Sequence, residues 1–235
     1  MGRIKRLVKR HLPKRLVDTL SARHHGAPTG DPHYPYQAYN DELKLVFIHI
    51  PKTAGTSILS FLAGPDAIRC HAPYNWYLQS DPARFYHYHK LCFVRDPWDR
   101  AVSLFAYLSQ GGNGDEDLTL QQQIKDCGGT FADFVLKWLS PSRIFALPIL
   151  RQQSFYVYDY VGERLLVDRV CQFEQIDQEI AAIGKRFGIA RTLPRANPSK
   201  RSKHLSYYTS DTIARISELY PDDIELFGYS APQLD

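Results

Sequence analysis

Short unbroken apolar runs alternate with stretches in which apolar residues recur every three or four positions, and this alternation organises the chain from about residue 43 onward. The run at 45–50 has the length and character of a strand buried on both faces. A polar turn follows, and then Ile58, Leu59, Phe61 and Leu62 continue as a helix that Gly64 and Pro65 stop. A second buried strand, 91–94, ends at Arg95-Asp96-Pro97-Trp98. Beyond it Ala101, Val102, Leu104, Phe105 and Leu108 mark a helix with Pro97 in its first turn. The glycine-rich stretch 110–117 reads as a surface loop, and helical patterns follow at 120–124 and 131–139. A third strand is expected at 167–173, after which Ile176, Ile180, Ile183 and Phe187 space out a helix closed by Gly188. The chain turns basic and loop-like over 190–204. The last helix is read from Ser210, as its N-cap, through Ile213, Ile216 and Leu219 to Tyr220, with Pro221 ending it. Strand, turn and helix recurring in that order predict an α/β fold, a parallel β-sheet flanked by helices on both faces.

Upstream the pattern is different. His24, His25, Gly26, Pro28, Gly30, Pro32 and Pro35 interrupt any periodicity, so residues 21–41 read as an irregular linker. Ahead of it Arg3, Lys5, Arg6, Lys9, Arg10, Lys14 and Arg15 precede the first acidic residue, Asp18, while Ile4, Leu7, Val8, Leu12 and Leu16 fall roughly on one helical face. Two readings fit this arm: a helix lying on an anionic membrane surface, or a solvated basic tail. The organisation expected is therefore a basic arm and linker over 1–41 and one domain over 42–235. No apolar run is long enough for a signal-peptide core or a membrane span, and Arg6 stands where a myristoylation signal needs Ser or Thr. A cytoplasmic protein is expected, with peripheral contact at the cytoplasmic membrane face if the arm binds lipid.

Composition narrows the partners. With 44% hydrophobic and 23% charged residues the 235-residue chain is ordinary for a globular domain, and a net charge of +4 suits anionic ligands but is too small to argue for nucleic acid. Cys70, Cys92, Cys127 and Cys171 are widely spaced, without a Cys-x-x-Cys pair or a Cys/His cluster, so neither a zinc site nor a disulfide framework is expected.

The chemistry gathers where strands end. Pro51-Lys52-Thr53-Ala54-Gly55-Thr56-Ser57 follows the first strand and opens a helix, and the first N–H groups of a helix lack intrahelical acceptors and attract anions. The phosphate loop of ordinary kinases and NTPases needs Gly-Lys followed by Ser or Thr. Here the lysine precedes the turn, and Gly55 is followed directly by Thr56 and Ser57.

That order resembles the 5′-phosphosulfate loop of sulfotransferases that use 3′-phosphoadenosine 5′-phosphosulfate (PAPS), most closely the carbohydrate, or type 2, branch and its bacterial members. The second strand end, from Val94-Arg95-Asp96-Pro97 to Ser103, resembles the 3′-phosphate motif of the same family with its eight-residue separation of Arg95 and Ser103. The segments 170–174, 193–200 and 219–229 resemble the family's later strand, basic loop and closing segment, so the similarity spans about 43–229.

The resemblance implies a P-loop-like sulfotransferase fold over 42–235. It implies transfer of the sulfuryl group of PAPS to a hydroxyl of a polysaccharide, oligosaccharide or glycolipid, with 3′-phosphoadenosine 5′-phosphate as product and no metal. Donor contacts then fall to Pro51, Lys52, Thr53, Ala54, Gly55, Thr56 and Ser57 on the 5′ side and to Arg95 and Ser103 on the 3′ side. Ser199, Lys200, Arg201 and Lys203 are candidates from the basic loop, although Pro198 stands where the family more often has lysine. Lys52 meets the leaving oxygen. His71, in Cys70-His71-Ala72, resembles the family's base, with His89 or His87 next and Glu174 last.

Read on their residues alone, Arg95 could instead pair with Asp96 or Asp99, Ser103 could be a helix-surface hydroxyl, Arg100 reads as an ion-pair residue and Trp98 as packing. A P-loop-type kinase, or a nucleotide-binding membrane-associated module without catalysis, are the competing functions.

Overall fold

In the computed structural model, which describes residues 34–194 and 205–234, the apolar runs form one parallel sheet. β1 (Leu45–Ile48) lies beside β2 (His89–Val94), with Leu45 opposite His89 and Ile48 opposite Cys92. A separate antiparallel hairpin is made by β3 (Tyr158–Asp159) and β4 (Arg164–Leu165). β5 (Arg169–Gln172) then pairs with the far side of β2, with Leu91 opposite Arg169 and Val94 opposite Gln172. β1 is buried at every position and β2 at all but His89, which is why both read as continuous apolar runs rather than alternating ones.

The helices follow in order. α1 (Ala38–Leu43) precedes β1, α2 (Gly55–Ala63) follows it, and α3 (Tyr74–Ser80) and α4 (Pro82–His87) lead to β2. α5 (Pro97–Ser109), α6 (Asp115–Asp126) and α7 (Phe131–Asp133) come next, the last widening into a π-helical turn (Phe134–Trp138). α8 (Pro141–Ala146), α9 (Ser154–Val157), α10 (Ile176–Phe187), α11 (Ser210–Leu219) and α12 (Pro221–Phe227) complete the described part.

Successive strand side chains point to opposite faces, and each face is covered. Leu45, Phe47, Leu91 and Phe93 pack with Ile58 and Leu62 of α2 and with Ile180 and Ile183 of α10. Val46, Ile48, Cys92 and Val94 pack with Tyr77 of α3, Phe85 of α4 and Tyr156 of α9. The expected α/β arrangement with helices on both faces is thus present, with three strands in the sheet among the described residues. A third cluster around Trp98, Phe134, Trp138 and Ile216 joins α5 to the π turn and α11, and Trp98 packs within it as expected.

Several boundaries move. The linker expected to reach residue 41 ends sooner, because Tyr36, Tyr39 and Asn40 are buried and the Asn40 amide donates to Leu45 O at 2.7 Å. α2 starts at Gly55 rather than Ile58, its polar first turn having hidden the start. α11 is capped by Thr209, not Ser210. Pro221 ends one helix and opens another, as a proline that needs no N–H partner can at a first helical position. The basic arm and the candidates Ser199, Lys200, Arg201 and Lys203 lie outside the described residues.

Candidate functional site

β1, β2 and β5 run parallel, so their carboxyl ends open on one edge of the sheet, where α/β proteins collect their ligands. From that edge come the loop 49–54 after β1, Arg95 after β2, and Glu174 after β5.

The loop is strained in a particular way. Lys52 has φ +69° and Ala54 φ +63°, a left-handed conformation that costs a non-glycine residue roughly 1–2 kcal/mol. Two arginines hold it there. Arg100 Nε donates to Pro51 O at 3.1 Å and Arg95 Nη1 donates to Lys52 O at 3.3 Å. A trans peptide sets its carbonyl and the following N–H on opposite sides, so the N–H groups of Lys52 and Thr53 point away from the guanidinium groups. The first helical bonds of α2 are Ser57 N and Ile58 N to Ala54 O, at 3.0 and 3.1 Å, so the N–H groups of Gly55 and Thr56 precede the helical ladder. Backbone donors, rather than side chains, therefore dominate this loop. Thr53 is fully buried and its hydroxyl donates to Ile50 O at 2.9 Å, so it shapes the turn instead of offering a hydroxyl outward. Thr56 is exposed and Ser57 half-buried, and these two carry the accessible hydroxyls.

Arg95 is buried, with its guanidinium 4.3 Å from the centre of the Phe173 ring. Its Nε donates to Asp99 Oδ2 at 2.8 Å, the ion pair that its residue context allowed. A guanidinium has five N–H donors, so these contacts leave it able to bond a phosphate as well. Ser103 is half-buried on α5, one turn beyond Asp99 and on the same helix face. The backbone of Arg95 is fixed by Gln153: its Oε1 accepts Arg95 N and its Nε2 donates to Arg95 O, both at 2.8 Å. Gln153 is held in turn by Asp223, whose two oxygens accept Gln153 N and Ser154 N at 2.8 Å each.

Arg100 corrects the sequence reading. Among the described residues it makes no ion pair and is instead a carbonyl clamp, 1% exposed, donating to Pro51, Ile149 and Arg151. Gln153 and Asp223 were missed, and Arg100 misread, because each acts on backbone groups, which leave no mark in a sequence. Tyr107 was missed too, although its spacing of four from Ser103 puts it on the same face of α5.

The histidines separate. His71 Nδ1 bonds to His49 O at 2.9 Å, and the two rings lie 4.1 Å apart. A carbonyl oxygen can only accept, so Nδ1 carries the hydrogen and the neutral ring keeps its lone pair on Nε2. Burial, together with the charges of Arg69, Arg100 and Lys52, pushes the His71 pKa below the usual imidazole value, against the opposing pull of the bond to His49. His49 lies just past β1, not within it, and its ring packs against Gly55. His71 is thus one ring away from the loop. His89 starts β2, six residues or about 20 Å of strand from Arg95. It sits beside Asp168 and Arg186 at the other edge of the sheet, and His87 caps its own helix turn through Ala83 O. Glu174 is spent on structure, its Oε1 accepting Asp96 N at 2.8 Å and its Oε2 accepting Tyr229 OH at 3.1 Å.

Lys52 is half-buried, and burial with the nearby charges of Arg95 and Arg100 lowers its pKa to about 8, opposed by Asp117. Such an arrangement can hold a polyanion through backbone N–H groups and two cations, Lys52 and Arg95, with a neutral imidazole near the loop. No helix among the described residues is long and apolar enough to cross a membrane.

Residues 37–230 match the sequence profile of a family described as the sulfotransferase family. No curated protein and no solved structure matches the chain.

Proposed function

The chain belongs to the sulfotransferase family, and from that premise we propose that it moves the sulfuryl group of PAPS to a hydroxyl of a carbohydrate, whether polysaccharide, oligosaccharide or glycolipid. The observation that carries this reading is the loop itself. Two left-handed residues and two arginine-held carbonyls turn N–H groups toward one side, with Lys52 between them and the neutral ring of His71 nearby. A kinase of the P-loop type would need its lysine after the turn, and here it comes before.

In the proposed reaction the 5′ side of the donor lies on the N–H groups of residues 52–56 and the hydroxyls of Thr56 and Ser57. The 3′-phosphate is met by Arg95 and Ser103. Ser199, Lys200, Arg201 and Lys203 are proposed as further donor contacts from the basic loop. The acceptor oxygen attacks sulfur, forming the new O–S bond, while its proton passes to His71 Nε2. The bond from sulfur to the bridging oxygen breaks, and its electron pair remains on the 5′-phosphate of the departing bisphosphate. Lys52 meets that growing charge, an interaction stronger in the transition state than before it. The basic arm is proposed to bring the protein to an anionic membrane surface on the cytoplasmic side, which suits a glycolipid acceptor.

Incubation with labelled PAPS and a panel of glycans tests the activity. Thermal shift with 3′-phosphoadenosine 5′-phosphate tests the donor site, where ligand at a hundred times its dissociation constant stabilises by about 2.7 kcal/mol. Absence of both transfer and bisphosphate binding would refute the reading. His71→Ala should keep bisphosphate binding and lose turnover by roughly a hundredfold or more; an active variant would overturn the base assignment.

A further inference from the structure

Behind the loop, α5 turns a stripe of side chains toward it, for Asp99, Ser103 and Tyr107 recur at four-residue intervals. Asp99 answers Arg95, and Tyr107 answers the lysine: the Lys52 ammonium lies 4.1 Å from the centre of the Tyr107 ring. The Tyr107 hydroxyl donates to Asp117 Oδ2 at 2.6 Å, and the same oxygen accepts Asn113 N at 3.0 Å. The glycine-rich turn between α5 and α6 is wrapped on this carboxylate. Gly112 has φ +57°, and a Cβ there would stand 2.2 Å from Asp117 Oδ2, so the turn requires glycine where it passes the acid.

We propose that Tyr107 and Asp117 are positioning residues for Lys52, the ring fixing where the ammonium sits and the carboxylate fixing the ring while favouring the charged lysine. The inference rests on the reading of Lys52 as the group that meets the leaving oxygen. A lysine carries its charge on a long flexible stem, and Arg95 and Arg100 both repel it. The negative face of an aromatic ring holds a cation without neutralising it. Donation of the phenol hydrogen to Asp117 pins the ring and adds electron density to it. Of the charged and titratable groups around Lys52, Arg95, Arg100 and the neutral His71 give it no negative partner, and Asp99 is paired with Arg95. Asp117 is the acid that draws the lysine toward its protonated form.

The test separates this arrangement from the donor reading. Reductive ¹³C-methylation of the full chain, with the Lys52 resonance assigned from Lys52→Arg, gives the titration of Lys52 without any turnover. Asp117→Asn keeps an oxygen acceptor for Tyr107 and Asn113 but removes the charge, so the Lys52 midpoint should fall by about half a pH unit, the size expected for one partly solvated charge at this remove. The alkaline limb of kcat/KM should move down with it. Tyr107→Leu should lower kcat about tenfold, with bisphosphate affinity within about twofold, while Tyr107→Phe, which keeps the ring, should lose much less. An unmoved Lys52 titration in Asp117→Asn, or equal losses in the Leu and Phe variants, would overturn the proposal. Should the wild-type chain bind no bisphosphate, the donor reading fails, and the Lys52 titration still decides whether Asp117 acts on the lysine.

Discussion

Replacing Gly55 with alanine ought to help the helix it opens, since alanine is favoured over glycine in a helix by up to about 1 kcal/mol. The structure predicts the opposite. A Cβ at residue 55 would fall 1.9 Å from Cδ2 and 2.1 Å from Nε2 of His49. That ring cannot simply swing away: His49 is 4% exposed, stacked on Phe47 at 5.7 Å and 4.1 Å from the His71 ring. Overpacking a core costs about 1–3 kcal/mol, and contacts this far inside van der Waals range belong near the top of that interval. Less the helix gain, Gly55→Ala should destabilise by about 2 kcal/mol, or lower Tm by about 4–8 °C in a chain of this size. Turnover should fall further than stability alone requires, because a displaced His49 carries with it the carbonyl that orients His71. Urea unfolding of the wild type, Gly55→Ala, His49→Ala and the double variant gives the cycle that isolates the effect. With His49 truncated, the alanine at 55 should become neutral or stabilising. If Gly55→Ala is as stable as the wild type while His49 is present, the loop is not wedged against that ring and the reasoning fails.

Three further outcomes are expected. The kcat/KM profile should be bell-shaped, rising as His71 loses its proton below the usual imidazole value of 6.5 and falling as Lys52 loses its own near pH 8; a profile flat from pH 7 to 10 would remove the lysine charge from the mechanism. Lys52→Met should lower turnover by about a hundredfold yet stabilise the free protein at pH 7. The fall of the Lys52 pKa from 10.5 to about 8 corresponds to at most about 3 kcal/mol, which partial exposure reduces to about 1–2. Since the folded pKa lies below the unfolded one, that cost is fully present below pH 8 and fades toward pH 10.5, so the stability gain seen in urea at pH 7 should vanish by about pH 10.5. Arg100→Met strands three backbone carbonyls, so it should cost about 3 kcal/mol or more and weaken bisphosphate binding; unchanged binding would mean that the loop keeps its shape without the clamp.

What was legible in the sequence followed from periodicity and punctuation. β1 and β2 were found because strands buried on both faces leave unbroken apolar runs, and α5 and α10 because Pro97 and Gly188 mark an end of each. α3 and α4 were overlooked, their few buried residues, Tyr77 and Phe85, being too sparse to show a period. At the candidate site, Lys52, Gly55, Arg95 and His71 were singled out because their order in the chain resembles the family's motifs. The groups that fix them could not be. Arg100 acts on carbonyls of residues 51, 149 and 151, and Gln153 on the backbone of Arg95, 58 positions away. Such long-range bonds to main-chain atoms exist only once the chain has folded. The distance of His89 from the loop is of the same kind, since six residues of strand separate it from Arg95 and put it beside Asp168.

Lys52, Arg95 and Arg100 converge on one strained loop; Asp99 answers Arg95, Arg100 spends its donors on neutral carbonyls, and Lys52 rests against a ring rather than an acid. Repulsion among the three is part of what depresses the Lys52 pKa, so the folded chain carries an energetic cost that an anion would relieve. The left-handed backbone at Lys52 and Ala54 adds to it. Because both costs are met during folding, the donors need no reorganisation when charge develops on a leaving oxygen, which is the condition under which fixed charges accelerate a reaction most. On the proposed donor site a ligand with two phosphates would relieve the loop and Arg95 together, whereas a single phosphate would satisfy only one of them. Affinity should therefore rise steeply from the 5′-monophosphate nucleotide to the 3′,5′-bisphosphate, and Arg95→Ala should abolish that rise, weakening bisphosphate binding well beyond the loss in monophosphate binding that release of the Lys52 carbonyl brings. Calorimetric titration of the four combinations checks this, and equal affinities of the wild type for both nucleotides would show that Arg95 is only the structural partner of Asp99.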